Sequence, residues 1–215
     1  MLPYLRTRNV AANGQRPLVI AAASRRAHSL HAPRRGIATI WVLTALPVVL
    51  TLLVMIVDGG NLWVARMELR NALDAAALSA AKTWGETSNT AQARLDAQDA
   101  FNTNTILGNQ YSLSTSNGGG CGNGNSSPSA TAEILLGSIT SIGSGFAIDY
   151  TGTPVCPGGT FGVRTRKAVS VPSVASAFLG LSINPYQVTC ESYAQFACGS
   201  GPPRVIHVNS FTACP

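Results

Sequence analysis

From Gly36 to Val57 the sequence reads "GIATIWVLTALPVVLTLLVMIV", 22 residues without a charge. As a helix rising about 1.5 Å per residue, this run covers about 33 Å, enough to cross the hydrocarbon core of a bilayer. A core helix of a soluble protein is the alternative, but such helices rarely stay uncharged for so long. The run therefore predicts a membrane span over 36–57. Pro47 lies near its middle, where it removes a backbone donor and crowds the preceding turn, so a kink is expected there. Membrane helices tolerate that better than soluble ones. A cleavable signal peptide would have a shorter apolar region, about 7 to 15 residues, closed by small residues. Here the run is longer and gives way to Asp58, Gly59, Gly60 and Asn61.

The net charge of +6 is unevenly placed. Arg6, Arg8, Arg16, Arg25, Arg26, Arg34 and Arg35 precede the span with no acid among them, and the rest of the chain carries 8 basic and 9 acidic residues. Positive residues beside a span stay in the cytoplasm, so the amino terminus is expected inside and everything after Val57 outside. The arginines are scattered, with little aromatic interleaving for base stacking, which argues against a nucleic-acid partner. Residues 1–35 read as a basic cytoplasmic leader without a fold of its own.

After Gly59 and Gly60, the positions Leu62, Leu69, Leu73, Ala76 and Ala80 recur mostly at three, four or seven residues, the spacing of a narrow apolar stripe on a helix. Residues 58–85 therefore read as an amphipathic juxtamembrane helix. Its alanines favour helix and let a second backbone approach closely. Asp58, Leu62, Leu69, Leu73 and Ala76 are the expected positions of contact with a partner helix, which includes a homo-oligomer formed through the alanine-rich face.

This region carries a resemblance. "RRG" at Arg34, the Leu46-Pro47 pair within the span, and "VDGGNLWVARMELRNALDAAALSAA" from Val57 to Ala81 together resemble the amino-terminal segment of TadE/TadG-like proteins of the tight-adherence (Tad, Flp-type) pilus-assembly family. Farther on, "FGVRTRKAVSVPSVASAFLGL" is similar to the extended stretch and short helix of their extracytoplasmic region. The resemblance implies a bacterial inner-membrane anchor, a leading helix, and pilus-assembly or pseudopilin-like proteins as partners. Prepilin-type substrates usually carry a glutamate five residues after the cleavage-site glycine, whereas Trp41 stands five residues after Gly36. The anchor is therefore expected to be retained.

Residues 86–128 read as a polar helix and loop ending in a glycine-rich linker. In the polar part, Ala91, Leu95, Ala97 and Phe101 give an imperfect helical pattern. "NGGGCGNGNSSPS", from Asn117 to Ser129, offers little side-chain area to bury and reads as an exposed loop. It lacks the lysine of a phosphate-binding P-loop. Residues 129–215 read as a small, mainly β domain, with extended candidates at Ala130 to Leu136, Ala147 to Tyr150, Phe161 to Val171, Gln187 to Ala197 and Arg204 to Phe211. In the third, Phe161, Val163, Val169 and Val171 share parity, so a strand turns them to one face and Arg164 and Arg166 to the other. "SVASAFLGL" reads as a short apolar helix.

Cys121, Cys156, Cys190, Cys198 and Cys214 all follow the span, where an oxidising compartment makes disulfides reasonable. Spacing leaves their pairing open. There is no CxxC pair and His207 is the only histidine after the span, so no metal site is expected. Catalytic patterns are equally thin. "SAAK", Ser79 to Lys82, lacks the companion motifs of a serine–lysine enzyme. Asp149, Thr151 and Thr153 in "DYTGT" imitate a metal-binding loop, but a β-turn explains Gly152 more simply. His207 has no serine or cysteine at recognisable spacing. The expectation is a non-enzymatic protein without cofactor: a single-pass membrane α-helix with an alanine-rich helical extension, followed by a small mainly-β (α+β) extracytoplasmic domain. The alternative reading is an anchored binding module for an envelope polymer or surface partner.

Overall fold

The computed structural model describes residues 35–116, 122–125, 132–142, 145–180, 182 and 184–212. The basic leader up to residue 34, Cys121 and Cys214 lie outside them. The chain divides into two units, 1–43 and 44–215. The described part of the first is the opening of α1, Arg35–Thr87, a single helix of 53 residues. The second holds the rest of α1 and every other described element.

Helix α1 continues through Pro47, where the Thr51 hydroxyl donates to the Pro47 carbonyl at 2.8 Å. It also continues through Gly59 and Gly60, so the span and the juxtamembrane helix are one element. It stops where Ser88 takes a positive φ of 55°. Asn89 then caps α2, Thr90–Asn102, its side chain accepting from the backbone of Ala91 and Gln92 at 3.0 Å each. These are two of the donors a helix start leaves without partners.

A two-residue hairpin follows, β1 (Thr105–Ile106) and β2 (Asn109–Gln110), turning through Leu107 and Gly108, both at positive φ. Such turns ordinarily use Asn-Gly. Here the Leu107 amide donates to the Glu68 carboxylate of α1 at 2.7 Å, and the Leu107 side chain packs on the core.

The main sheet contains β3 (Ile134–Ile142), β4 (Gly145–Asp149), β5 (Thr160–Val171), β6 (Tyr186–Ala197), β7 (Arg204–Val205) and β8 (Val208–Thr212), in the order β7-β6-β5-β3-β4-β8. Neighbours are antiparallel except β4 and β8, which are parallel. Helix α3 (Val174–Leu179) lies in the connection from β5 to β6. The last extended segment, expected as one strand, is two: β7 borders one edge of the sheet and β8 the other. Only Ile206 and His207 separate them. A flat sheet would put those edges about 24 Å apart, while the link from Val205 to Val208 reaches about 11 Å at full extension. The sheet is therefore rolled, bringing its edges toward each other.

Rolling produces two cores. On one face, α1 lays down Ala65, Leu69, Ala72, Leu73, Ala76, Ala77, Ala80, Ala81 and Trp84 against Phe161, Val163, Val169, Val171 and Ala194. Trp84 meets Phe161 edge to face at 5.0 Å. The alanines bring the helix backbone so near that Thr165 donates its hydroxyl to the Leu73 carbonyl at 2.9 Å, and Ser192 donates to Asp74. On the other face, Leu135, Ile139, Ile148 and Tyr150 pack with Tyr193, Ile206 and Val208. Arg164 follows the expected parity, turned away from the α1 face. It is buried in this enclosed face and donates to the Ala132 carbonyl at 3.1 Å. Burial also pushes the Tyr150 phenol well above its ordinary range.

The glycine-rich segment is only partly the exposed loop its composition predicts. Asn125 is completely buried. Its amide nitrogen donates to the carbonyls of Leu136 at 2.6 Å and Tyr150 at 3.2 Å, and its oxygen accepts from the Leu136 amide and from Arg94, each at 2.9 Å. Arg94, on α2, also donates to the carbonyls of Ile134 and Asn123 at 2.9 and 3.1 Å; burial pulls its pKa down to about 10. Backbone–side-chain pairing of this kind satisfies buried polar groups that apolar packing cannot.

Candidate membrane-proximal interface

From Ala38 to Ile56 most large side chains of α1, such as Leu46, Leu50, Leu53 and Ile56, are exposed. Their length of run and composition suit a membrane crossing. Within the span, Pro47 and Val57 are exposed along with these, and Gly36 lies in its first turn. In water, so large an apolar surface would be costly, whereas lipid tails are its natural solvent.

The first charge after the run, Asp58, is turned inward and only 6% exposed. One carboxylate oxygen accepts from the Val174 amide at 2.6 Å; the other accepts from the Ser173 hydroxyl at 2.7 Å and the Ala175 amide at 3.4 Å. Ser173 is the N-cap of α3, its hydroxyl oxygen accepting from the Ser176 amide at 3.3 Å. A six-residue helix does not hold itself together in water. Here its unpaired first amides are satisfied by a carboxylate from another element, the charge favoured at a helix start. Asp58 thus fastens α3, and the sheet it connects, to α1 directly after the uncharged run.

The other expected contact positions go the same way. Leu69, Leu73 and Ala76 are fully buried against this chain's own sheet, and Leu62 packs against the same core. In this structure those four side chains face the chain's own sheet. Sequence reasoning missed the receiver of this stripe because it lies on strands about 90 residues away. The parity of β5 was the available signal.

A groove of about 290 Å³ opens beside the stripe, lined by Arg66, Arg70, Asp74, Cys190, Glu191 and His207 among others. Arg66 and Arg70 are exposed one turn apart on α1. Cys190 is a free, half-buried thiol; it donates to the Arg66 carbonyl at 3.8 Å, and burial pushes its pKa up. A thiol held neutral in this way is a poor nucleophile. Cys156 and Cys198 form a disulfide with Cα atoms 5.7 Å apart, joining the loop before β5 to the end of β6.

The three residues weighed for catalysis are not joined by any hydrogen bond among the described residues. Ser79 lies within α1, and His207 stands between β7 and β8. Asp149 forms the anticipated turn, accepting from the Thr151 amide at 2.9 Å and hydroxyl at 2.7 Å. Thr153 donates to Asn123 at 2.7 Å. Among the described residues, no group of three or more His, Cys, Asp or Glu side chains is placed to hold a metal ion.

Residues 36–83 match the sequence model of the family described as "Putative Flp pilus-assembly TadE/G-like". The match begins with the uncharged run and ends one residue before Trp84, so it covers the span and nearly all of the stripe buried under the sheet. It supports a role in Flp, or tight-adherence, pilus assembly in general. No curated protein and no solved structure matches the chain.

Proposed function

We propose that this protein is a single-pass component of a Flp-type pilus-assembly apparatus. Residues 36–57 anchor it in the bacterial inner membrane with the amino terminus in the cytoplasm, and the β domain stands on the extracytoplasmic side. The observation that carries the reading is the family match over 36–83, in which span and buried helix form one continuous element. Seven arginines before the span support the orientation, and a disulfide in the domain suits an oxidising compartment. The protein acts by contact rather than turnover. Asp58, Leu62, Leu69, Leu73 and Ala76 hold the domain to the anchor, leaving the neighbouring exposed side of α1, with Arg66 and Arg70 at the groove, to meet other assembly proteins.

A chromosomal deletion, complemented by variants carrying a photo-crosslinking residue in place of Arg70 or Leu73, tests this. Loss of surface pili on deletion, and capture of an identified pilus-assembly protein from position 70 but not from position 73, are expected. Undiminished piliation, or a reporter fused after Pro215 reading as cytoplasmic, would overturn it.

A further inference from the structure

We infer that membrane contact does not end at Val57: the first turns of α1 beyond it, together with α3, form a layer seated in the headgroups, with Phe178 inserted into the bilayer surface. The inference rests on the reading of 36–57 as a membrane span.

Between Arg35 and Arg66 the sequence has one ionisable side chain, Asp58. That carboxylate would ordinarily mark the lipid boundary. Instead it is withdrawn from the surface, both oxygens spent on Ser173, Val174 and Ala175. The exposed surface of α1 therefore stays uncharged beyond it as far as Arg66, and is apolar at Trp63, 67% exposed, Val64 and, just past Arg66, Met67. These residues lie on the side of the helix away from the buried Ala65, Leu69, Ala72 and Leu73. Trp63 follows Val57 by six residues, about 9 Å along a helix. That distance carries it from the hydrocarbon boundary into the headgroup layer, where tryptophan is enriched.

Helix α3 is held at the same level, since its first amides bond to the residue directly after the span. From Ala168 to Cys190 the sequence carries no charge, and on α3 Phe178 is 75% exposed. An exposed aromatic on an uncharged helix pinned at the end of a lipid-facing span fits a lipid surface. The α3 patch lies at the level where the run read as a membrane span ends, so the bilayer surface is the occupant within its reach.

The test uses the full chain in phosphatidylethanolamine/phosphatidylglycerol vesicles, with a genetically encoded fluorescent amino acid at position 50, 155 or 178. Position 50 reports the span. Val155 is exposed next to Cys156, whose disulfide lies against Gly85, about 40 Å along α1 from Asp58. Brominated phospholipids quench from the lipid and iodide quenches from water. Position 178 is expected to be quenched by brominated lipid and to lose the iodide quenching that position 155 shows. Iodide quenching at 178 with lipid quenching at 50 overturns this inference and leaves the span standing. Shielding of 178 from both quenchers means that a protein covers it, which also overturns the inference. Iodide quenching at 50 removes the span and the inference together.

Discussion

Asn125 spends its whole amide group inside the domain, and with Asn123, which donates to the Gly152 carbonyl at 3.0 Å, it joins the glycine-rich segment to β3 and the end of β4. Replacing it with alanine takes the acceptor from the buried Leu136 amide, removes one of the bonds of Arg94, and leaves the Leu136 and Tyr150 carbonyls with the longer bonds from Asn123 at 3.3 and 3.5 Å. Asn125→Ala is expected to cost about 2 to 3 kcal/mol in denaturant unfolding. Asn71→Ala, on the exposed side of α1, should fall within about 0.5 kcal/mol of the parent. Asp149 gives a milder, pH-dependent effect. The Thr151 hydroxyl and amide hold its carboxyl below the usual carboxylate range. A depressed folded-state pKa means the unfolded chain binds the proton more readily, so this stabilisation is full above about pH 4 and fades as pH falls through the folded value. Asp149→Asn keeps the turn's acceptor and removes the titration. Its unfolding midpoint should fall less steeply than the parent's below pH 4, and equal acid slopes would count against the assignment.

At the level of elements, α1 approaches β6 at Gly85 without room for a side chain. A Cβ there would overlap the Phe196 ring. Gly85→Ala should destabilise by about 1 to 3 kcal/mol through overpacking, and most of that penalty should vanish when measured against Phe196→Ala in a double-mutant cycle. Simple additivity of the two changes would show that the ring has room to move. Close by, the Cys156–Cys198 bond closes a separation of 42 residues, and Cys198→Ser should lower stability by about 2 to 4 kcal/mol.

The same elements show what a linear sequence reveals. The β5 strand and α3 were legible because period-two apolar spacing and an apolar run after Pro172 are local signals. β3 begins at Ile134 rather than Ala130 and runs on to Ile142, and the last strand divides between two sheet edges. Neither could be read locally, because sheet order and rolling are set by pairings between distant strands. The Leu107–Gly108 hairpin was hidden for a related reason: its turn is held by Glu68, 39 residues earlier. The site was half legible. The residues of the α1 stripe were picked out by spacing, but spacing cannot tell a helix that awaits another protein from one already covered by its own sheet.

For the whole molecule, the consequence is a mechanical one: from Thr44 onward the uncharged run passes into the domain within one helix, and Asp58 adds a second tie through α3. A hinge after Val57 would let the domain turn on residues 44–57, whereas this arrangement holds the two in register. An insertion of one alanine separates the two possibilities. Placed between Gly60 and Asn61, it rotates Asp58 by about 100° relative to Ala65 and Leu69 and shifts it by about 1.5 Å. The buried stripe and the α3 cap then cannot both be satisfied. Placed between Thr51 and Leu52, the same insertion leaves Val54, Asp58 and every buried contact in register and only lengthens the lipid-facing run, which a bilayer absorbs by a small tilt. The first variant should show increased proteolysis around Ser173 and reduced piliation; the second should match the parent in both. Equal tolerance of the two insertions would mean that the domain is not held in register by Asp58, and the rigid connection between anchor and domain would have to be abandoned.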